Sequence, residues 1–397
     1  MRVALVTDTF LPKVDGIVTV ICLLLDHLAA RGVEAAVFAP RIGRVAHYNG
    51  APVISAPGLP FPFYPDLKVA LPTPSVWRRL RAFNPDVIHY VHPSVFGLAL
   101  YELGRRAGWP ALVSYHVDYA RVAQHFRLGP FSAAFIGPPV NALARHVLNT
   151  ADTVLAPSQA VRQRLAEIGV RREVHLWRRG VDAERFHPRY RSAALRARLT
   201  NGHPDDLLLL YVGRLSAEKR LADLRPALEQ VSGARLALVG DGPARPALER
   251  HFAGLPAHFA GYLRGEALAA AYASADIFVF PSALEAFGLV VLEAMAAGLP
   301  VVAARVGGVG DVVEDGRSGY TFAPGDAAAL AEGVRRLASD PARRAAMGRA
   351  ARAFAETQTW PAMMDEVVAH YARLHMRSRD RRRRAPAAGN CAGKSAN

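Results

Sequence analysis

In the stretch Ile277–Ala304, IFVFPSALEAFGLVVLEAMAAGLPVVAA, the only ionisable side chains are Glu285 and Glu293. An unpaired carboxylate is costly to desolvate, so acids embedded in apolar sequence are expected to face a polar ligand or a cleft. Glu285 also reads as a solvated loop acid, and Glu293 as an acid satisfied by backbone amides. These residues alone leave both choices open. The turn into the following helix presents the backbone N–H groups of Phe287, Gly288 and Leu289 as an anion site, with Gly288 permitting close approach. A diphosphate suits that position.

A second constellation follows the apolar run Leu207–Val212: Gly213-Arg214-Leu215-Ser216-Ala217-Glu218-Lys219. Ser216 reads as the N-cap of a helix, which places Arg214 and Lys219 at its N-terminus. Cations there oppose the helix dipole, so the arrangement makes best sense with an anion between them; a solvated loop is the plainer alternative. His116, in Ser114-Tyr115-His116, ends a strand at the carboxyl edge where such folds bind ligands, although a lone histidine is more often structural. The first strand leads into Asp8–Gly16, DTFLPKVDG, which lacks G-x-G-x-x-G and closes on Gly16 at a helix start. Gly240, in Gly240-Asp241-Gly242-Pro243, and Gly261-Tyr262 fall in turns at the same edge of the second half, where ordinary turn chemistry also accounts for them. The chain has no G-x-x-x-x-G-K-[ST] loop, D-x-D pair or G-x-S-x-G elbow. That counts against kinase-like, metal-dependent transferase and hydrolase readings, and no metal is expected.

Positioning these residues requires two α/β domains. The length of 397 residues exceeds one ordinary core,. Arg2–Thr7, the helical Ile17–Arg31 closed by Gly32, and Val33–Ala39 form a βαβ unit and imply a parallel sheet. Strands follow at Val87–Tyr90, Ala111–Tyr115 and Thr153–Ala156, with a Pro/Gly-rich loop at Ala51–Pro65. The second half repeats the scheme at Leu207–Val212, Arg235–Val239, Ile277–Phe280 and Pro300–Ala304. The boundary reads at 180–190, giving domains 1–184 and 185–359. A last helix, Trp360–Met376, carries Met363, Met364, Val367, Val368, Tyr371 and Leu374 at helical spacing, and residues 377–397, with Arg381–Arg384, are expected to be disordered.

Apolar residues make up 51% and charged residues 21% of the chain, a globular balance,. No apolar run is long enough to span a bilayer, MRVALVTDTF reads as a strand rather than a signal peptide, and the two cysteines, Cys22 and Cys391, build neither a disulfide framework nor a zinc site,. The expected compartment is cytoplasmic. The formal charge of +15 invites nucleic acid, but the arginines are scattered through Ala/Leu-rich helices, which favours an anionic small molecule or lipid surface,. Tyr119–Arg145 interleaves Tyr119, Phe126, Phe131 and Phe135 with Arg121, His125, Arg127 and Arg145, a pattern suited to an anionic membrane; core aromatics of an ordinary helix are the alternative,.

Together these motifs resemble the retaining glycosyltransferases of family 4 over nearly the whole chain up to about residue 375. The resemblance implies the GT-B fold: two Rossmann-like doubly wound domains facing a cleft, the first binding acceptor and the second nucleotide sugar, with the C-terminal helix packing back on the N-terminal domain. Glu285 and Glu293 match the family's E-x7-E signature, and Gly213-Arg214-Leu215 with Lys219 its diphosphate-binding G-R-L…K. By that resemblance Arg214 and Lys219 hold the leaving diphosphate, Glu285 the sugar hydroxyls and Glu293 the ribose; His116 lies beside the donor sugar. Asp15-Gly16 falls at the family's glycine loop, where many members have Gly-Gly. Gly307-Gly308-Val309-Gly310-Asp311 resembles the G-G-x-P-E turn, placed outside the chemical site. DTFLPKVDGIVTV, SYHVDYARVAQHF and LWRRGVDAERFHP look most like mannosyltransferases using GDP-mannose and sulfoquinovosyl transferases that make glycolipids. The implied activity is metal-free transfer of a hexose, mannose first, to a glycolipid or lipid precursor, with peripheral attachment to the inner face of the cell membrane. The alternatives are a UDP-sugar-dependent glucosyl or sulfoquinovosyl transferase and a sugar-nucleotide epimerase on the same fold. A nicotinamide oxidoreductase lacks its fingerprint here.

Overall fold

The computed structural model describes residues 1–13, 16–41, 43–61, 64–70, 72–92, 95–116, 130–285 and 287–384. Asp15 lies outside them, as do Tyr119, Arg121, His125, Phe126 and Arg127 of the interleaved segment and the tail beyond Arg384. The chain divides into two compact units. One comprises Met1–Leu155, Ile168–His175 and the segment from Met364; the other comprises Ala156–Glu167 and Leu176–Met363.

The strands of the first unit's sheet are β1 (Arg2–Val6), β2 (Glu34–Pro40), β3 (His47–Tyr48), β4 (Ala51–Ala56), β7 (Val87–Tyr90), β8 (Ala111–Ser114), β9 (Thr153–Ala156) and β10 (Val174–Leu176). A separate hairpin pairs β5 (Gly58–Phe61) with β6 (Tyr64–Ala70). The sheet order is β10-β9-β8-β7-β1-β2-β4-β3, with β1 pairing in parallel with both β2 and β7. The order therefore reverses beside β1, and the carboxyl ends of β1 and β7 flank a topological switch point, the usual ligand crevice of such sheets.

Alternating elements repeat in the second unit, whose sheet runs β13 (Ala257–Gly261), β12 (Ala234–Val239), β11 (Leu207–Val212), β14 (Ile277–Phe280), β15 (Val301–Ala304) and β16 (Gly319–Phe322). All its pairings are parallel. LLLLYV, IFVF and VVAA are continuous apolar runs, as strands covered on both faces must be; β14 and β15 are buried at every position. Here the switch point falls between β11 and β14, so the loops carrying Arg214–Lys219 and Glu285 leave neighbouring strand ends.

Three sequence expectations need correction. Ala51–Pro65 is not a loop but contains β4 and β5; β4 buries Ala51, Ile54 and Ala56 and extends the sheet beside β2. The segment after Leu215 is a single 3-10 turn, Ala217–Lys219, not an α-helix. The C-terminal helix passes Met376 and continues from Trp360 to Arg384. Arginine is a good helix former, and basic residues at a helix C-terminus complement the macrodipole, so the arginine run extends the helix rather than ending it. Within the first unit this helix buries Val367, Tyr371 and Leu374, and Asp365 meets His27 at 2.7 Å.

Candidate functional site

In the second unit three loops are locked together by backbone at the carboxyl edge. Leu215 N–H donates to the Asp241 carbonyl at 3.0 Å, and Gly240 N–H to the Gly261 carbonyl at 2.8 Å. Gly240 has φ 132°, and a Cβ there would stand 2.0 Å from the Gly213 carbonyl oxygen, so only glycine allows this approach,. The turn bearing Arg214 is thus held against the ends of β12 and β13 without any side chain. Arg214 is exposed, and its carbonyl accepts from the Tyr211 hydroxyl at 3.0 Å.

Lys219 ends its one-turn helix, so the dipole argument for an anion at a helix N-terminus does not apply to it. Ser216 does not cap; its hydroxyl donates to Glu218 Oε1 at 2.5 Å. Lys219 Nζ instead reaches across to β14's loop. It donates to Glu285 Oε2 at 3.0 Å and lies 5.4 Å from the centroid of the Phe280 ring. The Ala283 amide, donating to the Glu218 carbonyl at 2.9 Å, holds the two loops in that register.

The other Glu285 oxygen, Oε1, accepts from Gly288 N–H at 3.2 Å and, more weakly, from Phe287 N–H at 3.5 Å. Two of the three amides expected to form an anion site, those of Phe287 and Gly288, are met by the chain's own carboxylate at the start of the Leu289–Ala296 helix. Gly288, at φ 85°, supplies the left-handed step. The turn Gly307–Asp311 does not stand apart from this loop: a Cβ on Gly308 would lie 2.8 Å from Phe287 Cα. Leu289 follows as the first residue of the helix.

Glu293, one turn further on, has a different partner. Tyr272 donates to its Oε2 at 2.8 Å, so the amide-capped reading is wrong. Burial pushes the Glu293 carboxyl up to about 7 from an ordinary 4.5, opposed by the Tyr272 hydrogen bond and the Arg185 charge. Tyr272 was missed in the sequence because it sits in an Ala-rich helix, Gly265–Ser274, that reads as core. Tyr262 is 65% exposed, with its hydroxyl 3.5 Å from the Asp241 carbonyl.

His116 and Gly16 belong to the first unit. Gly16 opens the Gly16–Ala30 helix. His116 is buried just beyond β8, with its Nε2 2.8 Å from Ser114 Oγ. Its backbone N–H approaches His92 Nδ1 at 3.5 Å, and burial lowers His92 to about 3. A cleft of about 460 Å³ opens elsewhere in this unit, lined by Arg41, Arg44 and Arg79 with Ser55, Thr73 and Ser75. None of the three arginines forms an ion pair among the described residues. Among the described residues, no group of three or more His, Cys, Asp or Glu side chains could hold a metal ion, and no helix is long and apolar enough to cross a membrane.

Two Rossmann-like units, with cation, carboxylates and amides gathered at a carboxyl edge, define a sugar-nucleotide-dependent glycosyltransferase of the GT-B class. The family models agree: residues 14–185 match "Glycosyltransferase Family 4" and residues 206–340 match "Glycosyl transferases group 1". A GDP-mannose-dependent alpha-mannosyltransferase of Mycolicibacterium smegmatis is 37% identical over 94% of this chain and 97% of that protein. A sulfoquinovosyl transferase of Arabidopsis thaliana is 36% identical over 86% of this chain and 68% of that protein. The chain belongs to glycosyltransferase family 4. The solved sucrose-phosphate synthase of Thermosynechococcus elongatus shares the fold with TM-score 0.79 at 24% identity, covering 95% of this chain and 99% of that one.

Proposed function

We propose that this glycosyltransferase moves mannose from GDP-mannose, with retention and without a metal, onto an acceptor hydroxyl of a glycolipid or lipid precursor. The observation that carries the reading is the Lys219–Glu285 pair seated on the Phe287 and Gly288 amides. Donor binding replaces the internal carboxylate with an external anion: the diphosphate takes Lys219 and Arg214, and Glu285 turns to the sugar hydroxyls. Glu293, backed by Tyr272, accepts from the ribose. Charge building on the departing phosphate is then met by fixed cations and amides, and that phosphate oxygen takes the acceptor proton. The acceptor hydroxyl forms its bond to the anomeric carbon on the face the phosphate leaves.

The GDP-mannose-dependent relatives support the donor, while the similar sulfoquinovosyl transferase keeps a UDP-sugar donor as the second reading. The arginines of the first unit's cleft, which form no ion pair among the described residues, support an anionic acceptor or membrane surface,. Purified protein incubated with GDP- and UDP-sugars decides the donor. GDP-mannose should be hydrolysed fastest, equally well in excess EDTA, and the α-anomer should appear first in the product. Preferential turnover of a UDP-sugar selects the second reading, and restoration only by added magnesium or manganese refutes the metal-free mechanism.

A further inference from the structure

The first unit's cleft of about 460 Å³ brings Arg41, Arg44 and Arg79 together with Ser55, Thr73 and Ser75, and no carboxylate is among its lining residues. Elsewhere in the chain arginines find acids one turn of helix away: Arg335 and Arg336 both pair with Glu332, and Arg225 with Glu229. The Pro74–Phe83 helix, PSVWRRLRAF, contains no acid, so Arg79 has none to reach on its own helix. Three like charges around one cleft that supplies no counter-charge favour an anion from outside.

Backbone contacts hold these groups in place. Arg41 N–H donates to the Ala56 carbonyl at 2.7 Å and Val53 N–H to the Ala46 carbonyl at 2.8 Å, which ties the chain on either side of Arg44 to β4. A Cβ on Gly43 would stand 2.5 Å from Pro12 Cδ, so the same turn is packed against the loop after β1. On the facing wall Thr73 Oγ1 accepts from Val76 N–H at 3.3 Å and caps the helix that carries Ser75 and Arg79. That bond uses the Thr73 oxygen and leaves its hydrogen to donate. Three guanidinium forks and three hydroxyls offer more donors than the two oxygens of a carboxylate accept, whereas a phosphate group presents three strong acceptor oxygens. The volume lies within the roughly 300–1,000 Å³ of small-molecule clefts, so the group esterified to the phosphate fits beside it.

We infer that this cleft is a binding site for a phosphate ester. It rests on the proposed function only for the source of that phosphate, the acceptor itself or a lipid headgroup next to it; recognition of the phosphate is independent of the donor. Because the three arginines are exposed, binding is moderate in strength and weakens with salt,.

Calorimetric titration of the full-length protein tests the site with glycerol 3-phosphate, with glycerol as the uncharged control, and with vesicles of phosphatidylcholine alone or mixed with phosphatidylglycerol. Glycerol 3-phosphate should bind and glycerol should not. Arg41→Gln/Arg44→Gln/Arg79→Gln should lower the affinity at least about tenfold, the scale of losing a charge-assisted hydrogen bond. Arg41→Lys/Arg44→Lys/Arg79→Lys keeps the charge but not the planar forks, and should bind several-fold more weakly than wild type. Binding of the mixed vesicles but not of glycerol 3-phosphate, lost in the Gln variant, assigns the phosphate to a headgroup in the bilayer. Binding of glycerol 3-phosphate assigns it to a soluble ester. The inference is overturned if neither probe binds, if the Gln variant binds like wild type, as it would were the phosphate held by Arg214 and Lys219, or if the Lys variant equals wild type and charge alone suffices. None of these readings uses transfer, so a failure to turn over GDP-mannose with phosphate binding intact counts against the proposed function and not against this site.

Discussion

Lys219 and Glu285 form an ion pair at 3.0 Å, and on the proposed reading a diphosphate separates them. Removing the cations leaves the departing phosphate without its stabilisation. Arg214→Ala/Lys219→Ala should lower turnover by at least about a hundredfold with an unchanged circular dichroism spectrum; near-normal rates in that folded variant would refute the assignment. Glu293 gives the pH dependence. Its carboxyl titrates near 7 when folded, against an ordinary 4.5, so between those values the native state holds more protons than the unfolded chain. Stability from this group is full below about 4.5 and is lost as pH rises through 7. Glu293→Gln should therefore melt higher than wild type at pH 8, by a few degrees on the order of those seen for domains this size. Donor binding runs the other way, because only the ionised carboxylate accepts two ribose hydroxyls: donor KM should fall as pH rises through 7 in wild type and stay flat in the variant. A wild-type KM independent of pH would remove Glu293 from the ribose.

Among the elements, the loop before the Leu289–Ala296 helix is shaped by an uncharged neighbour as well as by Lys219. Gly308 faces Phe287 so closely that a methyl group must displace backbone. Gly308→Ala should raise donor KM several-fold and cost about 1–3 kcal/mol of stability without altering any ionisable group; an unchanged KM would show that the loop tolerates displacement. The elements themselves were legible where both faces of a strand are apolar: Val87–Tyr90, Thr153–Ala156, Leu207–Val212 and Ile277–Phe280 have the boundaries that their composition indicates. Edge pieces such as β4 and β5 were not, because proline and glycine there resemble loop sequence while sheet pairing decides the conformation. Partner choice was also hidden. Nothing local says that Lys219 pairs with a carboxylate 66 positions away or that Tyr371, counted among apolar residues, reaches a histidine 282 positions away. Motif spacing singled out Lys219 and Glu285, and long-range packing paired them.

At the scale of the whole molecule, the charge of +15 is concentrated in arginine, and part of it lines the first unit's cleft. Liposome co-sedimentation should show binding that rises with anionic lipid, falls with salt, and weakens when Arg41, Arg44 and Arg79 are changed to Gln. If that variant sediments like wild type while deletion of residues 377–397 abolishes binding, the C-terminal basic segment is the anchor. The backbone locks at the carboxyl edge have a consequence for how this protein can change. Gly240 and Gly242 stand so close to the carbonyls of Gly213 and Leu215 that no side chain fits at either position. A saturation library would find them silent in one sense, with every replacement lost. Any substitution that retunes which sugar or base is accepted must therefore enter through residues around this frame and leave Gly240 and Gly242 as they are.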